Sequence, residues 1–260
     1  MMRRRPNDPG QPALWVDPTA APWSLDIDTP ASALAIGAHP DDVEFGCGAT
    51  LAKWAADGCV VHILVLTDGS KGTWDPTVDP DWLRSTRQLE QRRAAQLLGA
   101  TGEVVFLGQI DGELESTMAL RREVARWIRL LQPEVVLGHD PWRRYRLHPD
   151  HRHAGWRTCD AIVAARDPLF FPEHGLNHHR PRTLRLWEAD APDHCEDVTD
   201  FVEVKLAALE AHTSQYRSTM RAGDAHEMEA FRRRIRDRLA ELGRGLNVAA
   251  AEVFARMDDL

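Results

Sequence analysis

From residue 33 onward, the apolar positions of the chain switch repeatedly between two periods. Residues 33–38 (ALAIGA) form a short unbroken apolar run, the pattern of a strand buried on both faces. The stretch that follows places Leu51, Trp54 and Ala55 at helical spacing and stops at Gly58. VVHILVLT is a second buried strand, rich in β-branched residues. Residues 81–98 predict a long charged helix with Trp82, Thr86, Leu89, Ala94 and Leu97 as its inner stripe, ended by Gly99. Residues 104–108 (VVFLG) predict a third strand, residues 115–131 a helix stopped before Pro133, and residues 134–140 (EVVLGHD) a fourth strand. A helix over about 150–165, a fifth strand at 183–189 and helices at about 201–215 and 226–242 complete the series. In the last of these the run RRRIRDRLAEL reads as a solvated amphipathic face around Ile235 and Leu239.

Strands and helices that alternate at this spacing predict an α/β fold: a Rossmann-like, mostly parallel sheet flanked by helices. Residues 31–260 are expected to form a single domain. Residues 1–30 carry six prolines and predict an extended arm instead. Trp15 and Trp23 would pin this arm to the body or to a neighbouring subunit, so a homo-oligomer is an expectation.

Composition narrows the function more than the fold. A formal net charge of -8 disfavours a nucleic-acid binder, which needs a basic surface. Four cysteines with no C-x-x-C pair exclude a thiolate zinc knuckle and do not suggest a disulfide scaffold. The basic residues near the N-terminus are followed by prolines and polar residues, not by the apolar core of a secretory signal. No stretch reaches the length of a membrane span. A soluble cytoplasmic protein is therefore expected.

Candidate chemistry sits where two of the strands end, the place where open parallel sheets collect ligands. The first strand runs into His39-Pro40-Asp41-Asp42, and the fourth leads to His148-Pro149-Asp150-His151. Either motif alone is compatible with a turn or a helix cap. Two such motifs, each behind a buried strand, supply imidazoles and carboxylates from opposite directions. Catalytic zinc takes three His or Asp/Glu ligands and keeps one position for water. Amide hydrolysis also needs a base, an oxyanion stabiliser and an acid for the departing amine. Adjacent Asp41 and Asp42 repel one another unless a cation or proton intervenes.

GAHPDDVEFGCGATLA and HPDHRHAG resemble the zinc-dependent N-deacetylases related to N-acetylglucosaminyl-phosphatidylinositol de-N-acetylase, the PIG-L/LmbE-like family. Weaker echoes are TDGSKGT, Arg87 with Glu90, and AHTSQ at 211–215; together they cover about residues 33–216 in order. The family includes deacetylases of mycothiol and bacillithiol biosynthesis and mycothiol-conjugate amidases. The resemblance implies that His39, Asp42 and His151 bind one Zn2+, with another divalent metal as the alternative. It implies that Asp41 is the general base on water and that His148, as imidazolium, stabilises the oxyanion or protonates the amine. Asp150 would hold His148 and raise its pKa. Arg87 lies where similar enzymes place an arginine near the substrate. The expected substrate is a small N-acylated amino sugar.

The chain departs from the family pattern at Gly48-Ala49, where many members carry Gly-Gly; a methyl there would narrow the space near the metal. Cys47 reads as a packing residue. The histidines at 174, 178, 179 and 194 suggest a loop over the cleft, with His178 or His179 lining it. His139 is a candidate support for the metal ligands, and Asp68 and Lys71 candidate substrate contacts. The role of His212 stays open between a cap, an interface and catalysis. Two other functions remain: an amidase for a larger acyl group or a thiol conjugate, and a metal-bearing sugar-binding module without catalysis. A dinucleotide-binding protein is disfavoured, because the first strand leads into His-Pro-Asp-Asp and not G-x-G-x-x-G.

Overall fold

A computed structural model describes residues 23–260. Eight strands form one sheet: β1 (Ser24–Leu25), β2 (Ser32–Gly37), β3 (Val60–Thr67), β4 (Val104–Gln109), β5 (Val135–His139), β6 (Thr183–Trp187), β7 (His194–Asp197) and β8 (Ala251–Asp258). Their spatial order is β1-β7-β8-β6-β5-β2-β3-β4. All neighbours are parallel except β8, which runs antiparallel to both β6 and β7. Among the described residues the α-helices are α1 (Asp42–Ala56), α2 (Pro80–Leu97), α3 (Met118–Leu131), α4 (Pro149–Arg166), α5 (Val202–Glu210) and α6 (Ala225–Arg244).

The period of two along the strands divides the core into layers. Leu34 and Ile36 of β2 face one way and pack with Leu64, Val124, Ile128 and Ile162 under α3 and α4. Ala33 and Ala35 face the other way and pack with Leu51, Trp54, Val61 and Ile63 under α1. The central strands are buried on both faces, which is why they read as continuous apolar runs.

Three expectations need correction. On α2 the buried residues are Leu83, Arg87, Glu90, Gln91, Ala94 and Ala95, whereas Trp82 and Leu89 are exposed. Helical spacing holds, but the inward face carries polar side chains that serve the site, so hydrophobicity pointed to the wrong stripe. Strands β7 (HCED) and β8 (AEVFARMD) carried no readable strand signal: one is four residues and mostly polar, the other is led by alanines. Ser24–Leu25, inside the stretch expected as an arm, pairs with β7 at the sheet edge. Trp23 packs beside Cys195, Ala251 and Val253, while Trp15 lies outside the described residues.

Helix α1 breaks at Cys47 (φ -149, ψ 18). The amides of Ala49 and Thr50, which the break frees, donate to the buried carboxylate of Glu252 on β8 at 3.1 and 2.8 Å. Lys205 neutralises that carboxylate and also donates to Phe45 O. The methyl of Ala49 packs with Val198, Leu239 and Ala250, so it does not narrow the site as expected. Cys47 is a buried core residue, as its packing role requires. Among the described residues no helix is long and apolar enough to cross a membrane.

Candidate metal centre and active site

Strands β2 and β5 are neighbours, with Ile36 opposite Gly138, yet the helices that follow them leave on opposite faces of the sheet. This is the switch point of an open α/β sheet. It brings His39 after β2, His139 at the end of β5, and His148 and His151 at the start of α4 to one cavity of about 390 Å³. Asp41, Asp42, Arg87 and Asp111 line the same cavity. Both histidine-aspartate motifs therefore converge.

His39, Asp42 and His151 offer ligand atoms that all lie within 4.8 Å of one another. Asp42 Oδ1 is 3.2 Å from His151 Nε2, and Asp42 Oδ2 is 3.3 Å from His39 Nδ1. Burial opposes the Asp42 charge, but the imidazoles of His151 and His139 outweigh it and hold its pKa well below the usual carboxylate range. Two imidazoles and a carboxylate are a donor set that suits zinc. Two further groups share these residues, His39–His148–Asp150 and His139–His151–Glu188. The second is disfavoured by bonds on His139: its Nδ1 receives the indole N–H of Trp187, so its Nε2 proton faces Asp42 Oδ2 at 3.1 Å.

Asp41 caps α1 from a left-handed backbone conformation (φ 103), uncommon for a residue with a side chain. Three contacts hold it there. Its N–H donates to Gln91 Oε1 at 3.0 Å, and Arg87 Nη2 reaches both Pro40 O and, at 3.4 Å, Asp41 Oδ2. Arg87 Nη1 also donates to Gly69 O at 3.0 Å. Burial pushes the Asp41 carboxyl up to about 6, against the opposing charges of Arg87 and His212. Gly72 belongs to this clamp: a Cβ there would lie 2.1 Å from Arg87 Nη1.

Asp150 does not hold His148, as expected. Its carboxylate accepts the amides of Gly112 at 2.7 Å and Leu114 at 3.2 Å, and it meets His39 Nε2 at 3.0 Å. The pKa of His148 is lowered, not raised. Burial and the neighbouring rings of His39 and His151 disfavour the imidazolium more than Asp150 favours it. His148 stacks on His151 at 4.7 Å and lines the cavity.

Several contributors escaped the sequence reading. Asp111, at 3.2 Å from His39 Nε2, follows β4 at the same end of the sheet. A carboxylate just past a strand end was the signal for it. Gln91 had none, being a single polar residue in an amphipathic helix, whereas Gln215 closes the AHTSQ segment. Lys71 lines the cavity and pairs with Glu113, while Asp68 binds Arg84 and supports the Asp111 amide. Glu90 fixes the AHTSQ turn by accepting from Thr213 Oγ1, Ser214 N and Ser214 Oγ. His212 is buried 3.4 Å from Glu44 Oε2, away from the cavity wall. The other histidines do not form the expected loop over the cleft: His194 is buried against Glu196, and His179 meets Pro133 O. None of the histidines at 174, 178, 179 and 194 lines the cavity.

Residues 34–162 match the PIG-L family, described as GlcNAc-PI de-N-acetylase. A diacetylchitobiose deacetylase of Thermococcus kodakarensis is 38% identical over 186 residues, 70% of this chain and 69% of that one. A 1D-myo-inositol 2-acetamido-2-deoxy-alpha-D-glucopyranoside deacetylase of Kineococcus radiotolerans is 31% identical over 54% of this chain and 46% of that one. The structure of N,N'-diacetylchitobiose deacetylase from Pyrococcus horikoshii, complexed with its inhibitor, superposes with a TM-score of 0.81 and 29% identity. It covers 90% of this chain and 87% of that one. The chain thus belongs to the PIG-L, or GlcNAc-PI de-N-acetylase, family, and its relatives named here are hydrolytic deacetylases.

Proposed function

We propose that this protein hydrolyses the N-acetyl group of a small amino sugar, using one zinc ion held by His39, Asp42 and His151. The observation that carries this reading is the mutual approach of those three ligand atoms within 4.8 Å, in the cavity that Asp41 lines. When bound, zinc would polarise the amide carbonyl and lower the pKa of water.

The remaining work falls to side chains of the chain. Asp41 takes a proton from the water that attacks the carbonyl carbon. Its raised pKa suits it to hold that proton briefly and release it. His148 stands on the open side of the cavity and, as a neutral ring, donates a hydrogen bond to the carbonyl oxygen as charge develops there, while Asp41 returns its proton to the departing nitrogen as the C–N bond breaks. The products are acetate and the free amine. Asp150 and Asp111 orient His39, and His139 orients Asp42. Arg87 keeps the Pro40–Asp41 turn aimed at the attacking water. The diacetylchitobiose deacetylases at 38% and 29% identity favour an N-acetylglucosamine-type ring as the substrate.

A panel of N-acyl glucosamines with growing acyl groups tests this. Acetate release from the N-acetyl compound, declining with acyl length, is expected. A preference for longer acyl groups would replace the deacetylase reading with an amidase.

A further inference from the structure

Glu44, in the first turn of α1, and His212, in the turn after α5, are fully buried and have no part in the mechanism above. Their side chains meet at 3.4 Å, Glu44 Oε2 to His212 Nε2. Among the described residues neither of these atoms has a hydrogen bond, and His212 Nδ1 has none either. A buried carboxylate without an opposite charge is costly. Burial opposes a charge on His212 as well, but the carboxylates of Glu44 and Asp41 outweigh it and raise the pKa of the ring. The two side chains thus form an enclosed ion pair. The turn that carries His212 is fastened to α2 by the three hydrogen bonds that Glu90 accepts from Thr213 and Ser214.

The other oxygen of Glu44 leads to the site. Glu44 Oε1 accepts from Gln91 Nε2 at 2.6 Å, and Gln91 Oε1 accepts from the Asp41 N–H at 3.0 Å. A carboxylate only accepts and a backbone N–H only donates, so the two ends fix which way the Gln91 amide turns. Gln91 is fully buried, and the Asp41 N–H it holds belongs to the left-handed backbone at φ 103. Such a conformation persists where its surroundings over-determine it. Arg87 holds the Pro40 carbonyl and the Asp41 carboxylate, whereas Gln91 holds the Asp41 amide.

We propose that His212 is a positioning residue for the base: it holds the Glu44 carboxylate, which orients Gln91, which locks the backbone of Asp41 in its working conformation. His212 acts through two intermediaries and does not touch the substrate. The inference rests on the deacetylase reading above for the role of Asp41 as base.

The test compares zinc-loaded wild-type protein with His212→Phe, His212→Gln and Gln91→Leu on N,N'-diacetylchitobiose. His212→Phe and Gln91→Leu should each lower kcat by about 10- to 100-fold, leave KM within about twofold and keep one zinc per chain. His212→Gln, whose amide can still donate to Glu44, should recover most of the loss. The double variant of His212→Phe and Gln91→Leu should be no slower than the slower single one, because both act on the same bond. Where His212→Phe does not fold, His212→Asn, too short to reach Glu44, takes its place under the same expectations. Hydrogen exchange at the Asp41 amide reads the link without turnover and should quicken by about tenfold in His212→Phe and Gln91→Leu. Faster exchange in these variants, with no acetate release by the wild type, would keep the link and remove the deacetylase reading. Losses that multiply in the double variant, losses carried by KM or by zinc content, or unchanged exchange at Asp41 would overturn the link.

Discussion

The indole N–H of Trp187 donates to Nδ1 of His139 at 3.0 Å and, together with Nη1 of Arg146 on the same atom at 3.0 Å, sets how Asp42 is presented to a metal. An indole N–H can only donate, so the proton of the neutral His139 ring sits on Nε2 and points at Asp42 Oδ2, 3.1 Å away. Burial keeps the ring neutral by pushing its pKa down to about 4. One carboxylate oxygen of Asp42 is thereby steadied, and the other stays directed towards His151. Trp187→Phe should weaken zinc binding by about tenfold with the fold retained. Competition with a chelator measures this, and an unchanged Kd would remove Trp187 from the support of the site and leave Arg146 to hold His139.

Asp41 is the assigned base. Asp41→Asn keeps the size of the side chain but cannot accept the proton. We expect kcat to fall by about 100- to 10,000-fold while zinc content stays at the wild-type level. Loss of metal together with activity would make Asp41 a ligand instead.

The pH profile follows from the environment of the same group. Its carboxyl is raised to about 6, so the base is protonated below that pH and activity should climb as pH rises through it. A bound cation favours the carboxylate and places the limb at or below this value. Arg87 acts in the same direction as the cation, so Arg87→Met should move the limb to higher pH by about one unit. A profile of kcat/KM against pH checks this. A limb that does not move would show that Arg87 only shapes the turn.

The buried pair of Lys205 and Glu252 holds the break in α1 from behind. Glu252→Leu leaves Lys205 without its partner and the amides of Ala49 and Thr50 without an acceptor. It should cost about 3–5 kcal/mol in urea unfolding. Adding Lys205→Met should recover part of that, because the stranded charge is removed while the two amides stay unpaired. A single variant within experimental error of wild type would contradict the role given to the pair.

The parts of this account that the sequence carried were those where local pattern and three-dimensional role coincide. The buried parallel strands read as apolar runs, and the two histidine-aspartate motifs followed their ends. The misreadings share a physical cause. On α2 the inner face is polar because Arg87, Glu90 and Gln91 reach the site and its supports, so the largest apolar side chains of that helix were mistaken for its core contacts. Strand β8 buries Glu252 among apolar neighbours and hides its alternation. The family resemblance implied that Asp150 holds His148, but the Gly112 and Leu114 amides draw its carboxylate under His39, a contact between distant segments.

The central claim is best tested by titrating metal-free protein with zinc while following amine release from N,N'-diacetylchitobiose. The account predicts no turnover without metal, activity that rises to a plateau at one equivalent per chain, and loss of that high-affinity equivalent in His39→Ala and His151→Ala. Full turnover by metal-free protein, or a plateau unaffected by both substitutions, would contradict it.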